Sequence, residues 1–573
     1  QTMANKDVAA LFNEMADLLE ITGSDRFRVN SFRRVARSIS ELTEDLADID
    51  DLTAIPGVGK GTAERITEYL DTGRIEQHTE LRASVPAGLL DLLNIPGLGP
   101  KKVKLLYDEL DIGSIPDLTA ALNDGRVEQL AGFGAKSVDK ILEGIEFLER
   151  SAGRTPLGVA LTVALELKAA VEALPGVQRV ELAGSLRRGC ETIGDIDLLC
   201  IAKDGNAVVN AFTQLPHVTG VRAAGDTKGA VLVPNPAGCD IQVDLRVLPE
   251  KSFGAAWMYF TGSKEHNVRL RERAVKQGYS LNEYGLNKND KPVAGKDEEG
   301  IYKKLGLQWI PPELREDRGE VENQGDLPEL VSLDDIRGDL HMHTTASDGK
   351  CSIEEMAHAA KAQGYDYICI TDHSRSSVIA NGLQIERLLQ HIEDIRAADK
   401  KIKGITILAG AECDILADGS LDDADDVLAQ LDWVVASIHA AQTQDRDKLT
   451  TRCIAALENP YVCVLGHPSG RLLNQRDAMN LDWAKVIQTA ARTGTALEVN
   501  SAWKRLDLKD IHVKQAMDAG CWLSINTDAH HTDQLEQIKL GVQTARRGWA
   551  TKDRILNTFT TTRLRKWIES KRT

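Results

Sequence analysis

From Lys6 to about Arg150 apolar residues recur at intervals of three and four, as in VAALFNEMADLLEI, and strand-like alternation is absent. That spacing predicts helices. After Arg150 the pattern changes. VQRVELAGS (177–185), DIDLLCIA (195–202), AVLVP (230–234) and CDIQVDLRVL (239–248) read as strands. A helical stretch over 259–279 follows, then a Pro-, Gly- and acid-rich stretch over 311–335 that reads as an interdomain linker. From Gly338 onward short apolar strands alternate with helices: DLHMH, YDYICITDH, ITILAGAE, LDWVVASIH, YVCVLGHP, TALEVN and CWLSINTDAH. Seven such units predict a closed or nearly closed parallel β/α barrel, and barrels of this kind place their active sites at the C-terminal strand ends. Nearly every one of these strands ends in His, Asp or Glu.

The helical part contains an internal repeat: AIPGVGKGTAERI (54–66), NIPGLGPKKVKLL (94–106) and QLAGFGAKSVDKIL (129–142). Each reads as a helix end, a G-x-G hairpin and a new helix. The glycines permit the tight turn, and the following helix offers free N–H groups and a positive dipole end, which together make a phosphate cradle. Net charge sharpens this reading. The chain carries −17 over 573 residues, which taken as an average opposes nucleic-acid binding. Local clusters oppose the average. RFRVNSFRRVAR (26–37) carries five arginines and no acid, and Lys101, Lys102 and Lys104 form a second cluster. The length implies about three to five domains. No apolar run approaches the roughly 18 residues of a membrane span, and no basic-then-apolar leader is present. The nine cysteines are scattered without a C-x-x-C pair, which suits a reducing compartment. A cytoplasmic protein with no membrane contact is expected.

Two constellations carry chemistry. GSLRRG (184–189) precedes GDID (194–197), and QVDLR (242–246) follows on a later strand. Asp195 and Asp197 share one strand face, because side chains alternate with period two, and Asp244 can complete the set from a neighbouring strand. Three carboxylates on one face repel one another, and two Mg²⁺ ions would resolve that repulsion while building a two-metal phosphoryl-transfer site. The second constellation is His341 and His343 in H-M-H, Asp348, His373 in TDH, Glu412, His439, His467 in GHP, and Asp528 with His530 in TDAH. Six of the 13 histidines occupy these strand-end positions, which chance explains poorly. Nine His and carboxylate ligands suit about three ions, Zn²⁺ or Mn²⁺ rather than Mg²⁺. A cluster of this kind activates water and clamps phosphate oxygens, so phosphoester hydrolysis is the expected chemistry.

On these motifs residues 1–315 resemble a family X DNA polymerase, the group that includes DNA polymerase beta. YFTGS (259–263) is similar to that family's nucleotide-pocket signature. The resemblance implies that Asp195 and Asp197 bind both metals, Mg²⁺ or Mn²⁺, and that Asp244 binds the catalytic one and helps activate the primer 3′-OH. It places Gly184, Ser185, Arg188 and Gly194 at the triphosphate and Arg246 beside Asp244. Tyr259, Phe260 and Gly262 lie under the sugar, and Asn267 meets the base edge. The hairpins resemble helix-hairpin-helix DNA clamps, implying DNA contacts by Gly57, Gly59, Lys60, Gly97, Gly99, Lys101, Lys102, Gly132 and Gly134. Arg33, Arg34 and Arg37 would grip a 5′-phosphate across a gap. The family's lyase lysine falls at Arg65 here, and a guanidinium stays protonated and forms no Schiff base.

Residues 338–570 resemble the PHP (polymerase and histidinol phosphatase) phosphoesterases, whose H-x-H, T-D-H, G-H-P and D-x-H motifs are all intact. In that family the ligands are the nine residues named above. Arg375, Arg471 and Lys504 lie near motif ends as further phosphate candidates. The expected architecture is multidomain: an all-α helix-hairpin-helix N-terminal part (1–80 and 81–152), an α/β nucleotidyltransferase palm (153–249), a thumb (250–314), a linker (315–335) and a (β/α)7-type PHP barrel (336–573). The expected protein is a monomeric polymerase that takes dNTPs, fills gaps or nicks in double-stranded DNA, and carries a second hydrolytic site for 3′ ends or abasic sites. Two rivals differ in class: a tRNA-tailing nucleotidyltransferase, which the hairpins and YFTGS oppose, and a small-molecule phosphatase fused to a DNA-binding nucleotidyltransferase-like module.

Overall fold

The computed structural model describes residues 3–40, 42, 45–95, 98–151, 153–235, 240–289, 291–322 and 327–572. The chain divides into two compact units, Gln1–Ala152 and Gly153–Thr573.

The first unit is helical. Helices α1 (Met3–Ile21) and α2 (Arg26–Ser40) pack through Phe12, Met15, Val29, Phe32 and Val35. The apolar face of α2 is buried while Arg33, Arg34 and Arg37 stay exposed. The hairpins form as the glycine spacing predicts. Gly57 and Gly132 have φ of +87° and +90°, a region that only glycine enters at little steric cost. Gly59 caps α3 (Lys60–Thr72), Gly99 caps α4 (Pro100–Leu110), and Gly134 precedes α5 (Ala135–Ser151). No side chain caps the first turns of α3 and α4. The second hairpin's Gly97 lies outside the described residues.

The second unit begins with a five-stranded sheet. Its strands are β1 (Val177–Leu182), β2 (Asp195–Ala202), β3 (Gly220–Ala224), β4 (Lys228–Pro234) and β5 (Asp240–Val247). Their order is β1-β2-β5-β4-β3, with β2 and β5 parallel and the other pairs antiparallel. Two sequence expectations change. The strand read over 177–185 stops at Leu182, because Gly184 has φ +63° and opens a short helix, Gly184–Arg187. The edge strand β3 escaped the pattern because four of its five residues are exposed and none is fully buried, so no apolar alternation marks it.

The C-terminal barrel has seven parallel strands in sequential order: β6 (Gly338–Asp339), β7 (Tyr367–Ile370), β8 (Thr406–Asp414), β9 (Trp433–Ser437), β10 (Val464–Leu465), β11 (Ala496–Asn500) and β12 (Leu523–Asn526). A single bridge between Met342 and Ala529 links its two edges. The strands are buried almost throughout, as a parallel sheet covered on both faces requires, and their apolar runs are broken by acids such as Glu412 and Glu498.

The stretch over 311–335 is not an exposed tether. Leu314, Arg315, Glu320, Val321, Leu330 and Val331 are buried. Its acids have fixed partners: Glu313 accepts from Arg546 (2.7 Å), and Glu316 accepts from Arg188 (2.9 Å) and Arg547 (2.8 Å). Low hydropathy signalled a linker because a sequence does not show that acids such as Glu313 and Glu316 meet arginines in the fold. The palm core also extends into the barrel, since Leu473, Leu506 and Leu540 pack with Leu157, Ile193 and Ile196. Gly158 lies so close that a Cβ there would approach Trp503 to 2.6 Å.

At the palm–thumb boundary Glu298 is held by Arg187 (2.7 and 2.9 Å) and Arg315 (2.8 and 2.9 Å), all three nearly sealed from water. Burial alone would raise the Glu298 pKa, but the two guanidiniums drive it far below the usual carboxylate range. Removing the shared anion leaves two buried cations uncompensated. Glu298→Gln is therefore expected to destabilise the second unit by about 3–5 kcal/mol, read as a lowered Tm in thermal unfolding. An unchanged Tm would mean that the three charges are solvated in solution.

Candidate active sites

The palm site grows from the register of β2 and β5. Asp197 pairs with Asp244 directly across these parallel strands, and Asp195 pairs with Gln242. All three carboxylates therefore lie on one face, at the end of the sheet where Gly184 turns the chain. A Cβ on Gly184 would sit 2.3 Å from Asp197 Oδ2, so glycine is required for the close approach. Burial first, then the charges of Asp195 and Asp244, push the Asp197 carboxyl up to about 7. Such a carboxylate triad fits divalent cations, which replace the missing counter-charge. Asp244 is already oriented: Gln242 donates to its Oδ1 at 2.9 Å, and Lys228 lies 3.3 Å from its Oδ2.

The remaining residues expected at a nucleotide pocket lie close together. Tyr259 and Phe260 meet edge to face, 5.2 Å between centroids, and Arg246 lies over Phe260 at 4.3 Å. Asn267 donates to the Tyr259 carbonyl at 2.7 Å. Ser185 lies on the short helix beside Asp197, and Gly194 directly precedes β2. Arg188 is already engaged, donating to Glu316 at 2.9 Å and to the Thr261 carbonyl at 2.6 Å. A Cβ on Gly262 would come within 3.1 Å of that guanidinium. In the first unit Arg33 pairs with Glu20 (2.6 Å) and Asp17 (3.1 Å). Lys102 donates to Ser137 at 3.1 Å and reaches the face of Phe133. Lys60 and Lys101 are exposed beside their hairpins. Arg65 donates to the Gly61 carbonyl at 2.6 Å and lies over Phe32.

The barrel brings its nine sequence-marked residues together. Three groups could each hold an ion: His343, Asp348, His373 and His530; His341, His343 and Asp528; and His373, Glu412 and His439. His467 belongs to none of these groups and meets Glu412 at 2.9 Å. Most of these residues sit just beyond their strands rather than on them, and only Glu412 lies within one, β8. His467 and Asp528 have positive φ, +25° and +56°, a strained backbone that recurs at functional sites. Burial opposes charging, yet Glu412 and Asp414 push His439 up to about 10, and Asp348 and Asp528 raise His530 to about 9. His343, buried beside His530 and His373, falls to about 4. His341 Nε2, His343 Nδ1, His373 Nδ1 and Glu412 Oε2 are buried and make no aligned hydrogen bond, although His373 Nδ1 and Glu412 Oε2 lie 2.9 Å apart, and all four belong to the candidate groups. Orphaned donors of this kind fit metal ions.

Sequence reasoning missed the groups that orient these ligands. Glu498 on β11 is fully buried, lies 2.8 Å from His341 Nδ1, and accepts from the His467 N–H at 2.6 Å and from Asn526 at 2.8 Å. Asp414 orients His439 Nδ1. The signal available was TALEVN, whose buried strand carries an unexplained acid. The cation candidates also shift. Arg471 donates to Glu191 of the palm at 2.8 Å and to the Arg505 carbonyl, so it joins palm to barrel. Arg375 is held by Asp422 (3.2 Å), and Lys504 lies against Trp503. Arg505 instead stands 3.5 Å from Asp528 and lines the cavity, whose volume is about 580 Å³.

Two outcomes follow from these charges. With its pKa raised from 3.8, Asp197 favours the folded state while protonated and disfavours it once ionised. Stability is thus lost as pH rises from about 4 to about 7, and a cation restores it. Mg²⁺ should raise Tm more at about pH 8 than at about pH 6, and Asp197→Asn should abolish that difference. Glu498→Gln should weaken metal retention in the barrel about 10–100-fold, measured by chelator competition with the protein still folded. Retention equal to wild type would mean that Glu498 only fills space.

The chain matches the helix-hairpin-helix domain over residues 3–75, the SAM-like helix-hairpin-helix tandem over 89–146, the DNA polymerase beta thumb over 256–316 and the PHP domain over 339–502. It is 39% identical over 557 residues to the DNA polymerase/3′-5′ exonuclease PolX of Bacillus subtilis (strain 168), covering 97% of both chains. It is 26% identical over 350 residues to DNA polymerase lambda of Rattus norvegicus, covering 55% of this chain and 57% of that one. A protein named "Probable phosphatase" from Thermoanaerobacter sp. (strain X514) is 29% identical over 231 residues, which span 38% of this chain and 89% of that protein.

Proposed function

This chain belongs to the bacterial PolX family, family X DNA polymerases with a C-terminal PHP domain, and we propose that it fills short gaps in damaged DNA and clears the 3′ ends on which it builds. It is a DNA-directed DNA polymerase and a metal-dependent 3′-5′ exonuclease. The observation that carries the reading is the presence of two separate acidic centres in one chain, the Asp195–Asp197–Asp244 face and the nine-residue barrel cluster. The small-molecule phosphatase alternative is not favoured, because that likeness covers 38% of the chain while the polymerase likeness covers 97%.

In the palm, Asp195, Asp197 and Asp244 would hold two ions, Mg²⁺ or Mn²⁺. Such ions, when bound, neutralise charge on the phosphoryl oxygens during in-line displacement. Asp244, oriented by Gln242 and Lys228, would take up the primer hydroxyl proton. Ser185 and the start of the short helix at Gly184 orient the triphosphate. Tyr259 and Phe260, braced by Arg246, form the floor beneath the sugar, and Asn267 lies at the base edge. Arg188 reaches the triphosphate only by leaving Glu316, which Arg547 can then hold alone.

In the barrel the nine ligands would hold about three ions, Zn²⁺ or Mn²⁺, which when bound supply an activated water. Glu498 and Asp414 fix the ring orientations of His341 and His439, and Arg505 offers a cation to a phosphate beside Asp528. Hydrolysis of abasic sites and blocked 3′ ends fits the same chemistry. The substrates are gapped or nicked double-stranded DNA and dNTPs, with the hairpin glycines, Lys60, Lys101 and the α2 arginines on the DNA. Arg65 supplies no amine and Lys60 is the only close substitute, so the N-terminal unit keeps 5′-phosphate binding with little lyase chemistry. No helix among the described residues is long and apolar enough to cross a membrane. A cytoplasmic monomer is the proposed state.

The two centres should separate by mutation. Asp244→Ala is expected to reduce nucleotide addition on gapped DNA to background and leave 3′ hydrolysis largely intact. His341→Ala with His343→Ala should do the reverse. A single variant that loses both activities while remaining folded would defeat the two-site reading.

A further inference from the structure

The barrel cavity has a lip that the nine ligands do not explain. The segment after His373 turns through a short 3-10 helix, Val378–Ala380, and ends at Asn381 with φ +55°. Val378 is 80% exposed and Ile379 is 105% exposed, so neither side chain is covered by the fold. Exposed apolar residues scattered singly are ordinary. These two are adjacent, and both line the cavity that holds Asp348, His373 and His439.

The lip is held firmly from beneath. Arg375 donates to the Asp422 carbonyl at 2.6 Å, and the Ser376 N–H donates to the Asp422 carboxylate at 2.7 Å. Ser377 donates to Asp414 at 3.0 Å, and Asn381 donates to the Ala346 and Ser347 carbonyls at 3.3 Å. Gly382 is so tightly packed that a Cβ there would fall 1.9 Å from the Ser374 carbonyl oxygen. With its base anchored to this extent, the tip cannot bury its two aliphatic side chains by folding inward.

The cavity is therefore two-sided. Its floor is made of imidazoles, carboxylates and the Arg505 guanidinium, which suit a phosphate with its metal ions. Among the described residues that line it, only Val378, Ile379, Ala380 and Ala440 are apolar. A nucleotide has the same division, with a charged phosphate at one end and an apolar base face at the other. Side chains that cover a base face read no hydrogen-bond pattern, so contact of this kind is tolerant of base identity.

We propose that Val378 and Ile379 form a nucleobase subsite that packs on the face of the 3′-terminal base and positions its phosphate over the ligand cluster. The proposal rests on the reading that the barrel hydrolyses DNA 3′ ends, and it deepens that reading. A base can lie on the lip only after it leaves the duplex stack, at a cost smallest for mismatched or single-stranded ends. The subsite thereby selects frayed ends without selecting a base.

The test compares the wild type with Val378→Ser/Ile379→Ser on two single-stranded oligonucleotides, one ending in a normal 3′ nucleotide and one ending in a tetrahydrofuran nucleotide that lacks the base. Both substituted residues are exposed, so folding should be unaffected, and Ile379→Leu serves as the conservative variant. For the base-bearing end the double variant should raise KM about tenfold with little change in kcat. For the base-free end the two proteins should match, and Ile379→Leu should behave as wild type. Equal KM values for both ends in both proteins would overturn the subsite and leave the hydrolytic reading standing. No 3′ hydrolysis by the wild type on either substrate, with metals supplied, would overturn both.

Discussion

Asp197 and Asp244 face each other across two parallel strands with Asp195 beside them, Asp244 buried and Asp197 half-buried. Like charges at this separation cannot all stay ionised in a protein interior unless something positive joins them. That constraint governs the palm. It explains why Gln242 and Lys228 attend Asp244 and, together with burial, why the Asp197 carboxyl shifts upward, while Gly184 must lack a side chain for a steric reason, the close approach of Asp197 Oδ2. The barrel meets the same constraint with a mixed set. There carboxylates and imidazoles alternate around the cavity, so some rings are driven toward the cationic form while His343 is held neutral.

The same need for compensation binds the palm, the thumb and the barrel into one unit. Acids of the 311–335 stretch meet arginines from two directions: Glu316 joins Arg188 of the palm to Arg547 of the barrel, and Glu313 meets Arg546. Arg471 reaches Glu191, and Arg318 and Arg547 share Asp510. Buried ion pairs of this sort stabilise little compared with apolar packing, but they are costly to break one partner at a time. They therefore specify how the parts meet, while the shared apolar contacts of Leu473, Leu506 and Leu540 supply the driving force.

Each site also depends on residues that touch no substrate. Glu498 holds His341, the His467 backbone and Asn526 together, which fixes three elements of the barrel floor at once. The base of the Val378–Ile379 lip is anchored because Asp414 and Asp422 hold the serines and arginine beneath it. Asp414 also orients His439, so one carboxylate braces both the ligand cluster and the apolar wall above it.

Much of this was legible in the sequence, because the chemistry is written in short local motifs. Strand alternation alone placed Asp195 and Asp197 on one face, the strand-end His, Asp and Glu residues marked the barrel cluster, and paired glycines marked the hairpins. Strand β3 was not legible, since an exposed edge strand carries no apolar alternation. The packed state of 311–335 was equally hidden, because polar composition looks the same whether its acids face water or arginines more than two hundred residues away, as Glu313 and Arg546 are. Arg471 shows the limit most clearly. Its place near a ligand motif suggested phosphate, but the fold brings Glu191 within 2.8 Å and assigns it to the palm–barrel contact. Local spacing determines which side chains share a face, whereas long-range packing decides which charges are neutralised by the protein and which are left for a metal or a phosphate.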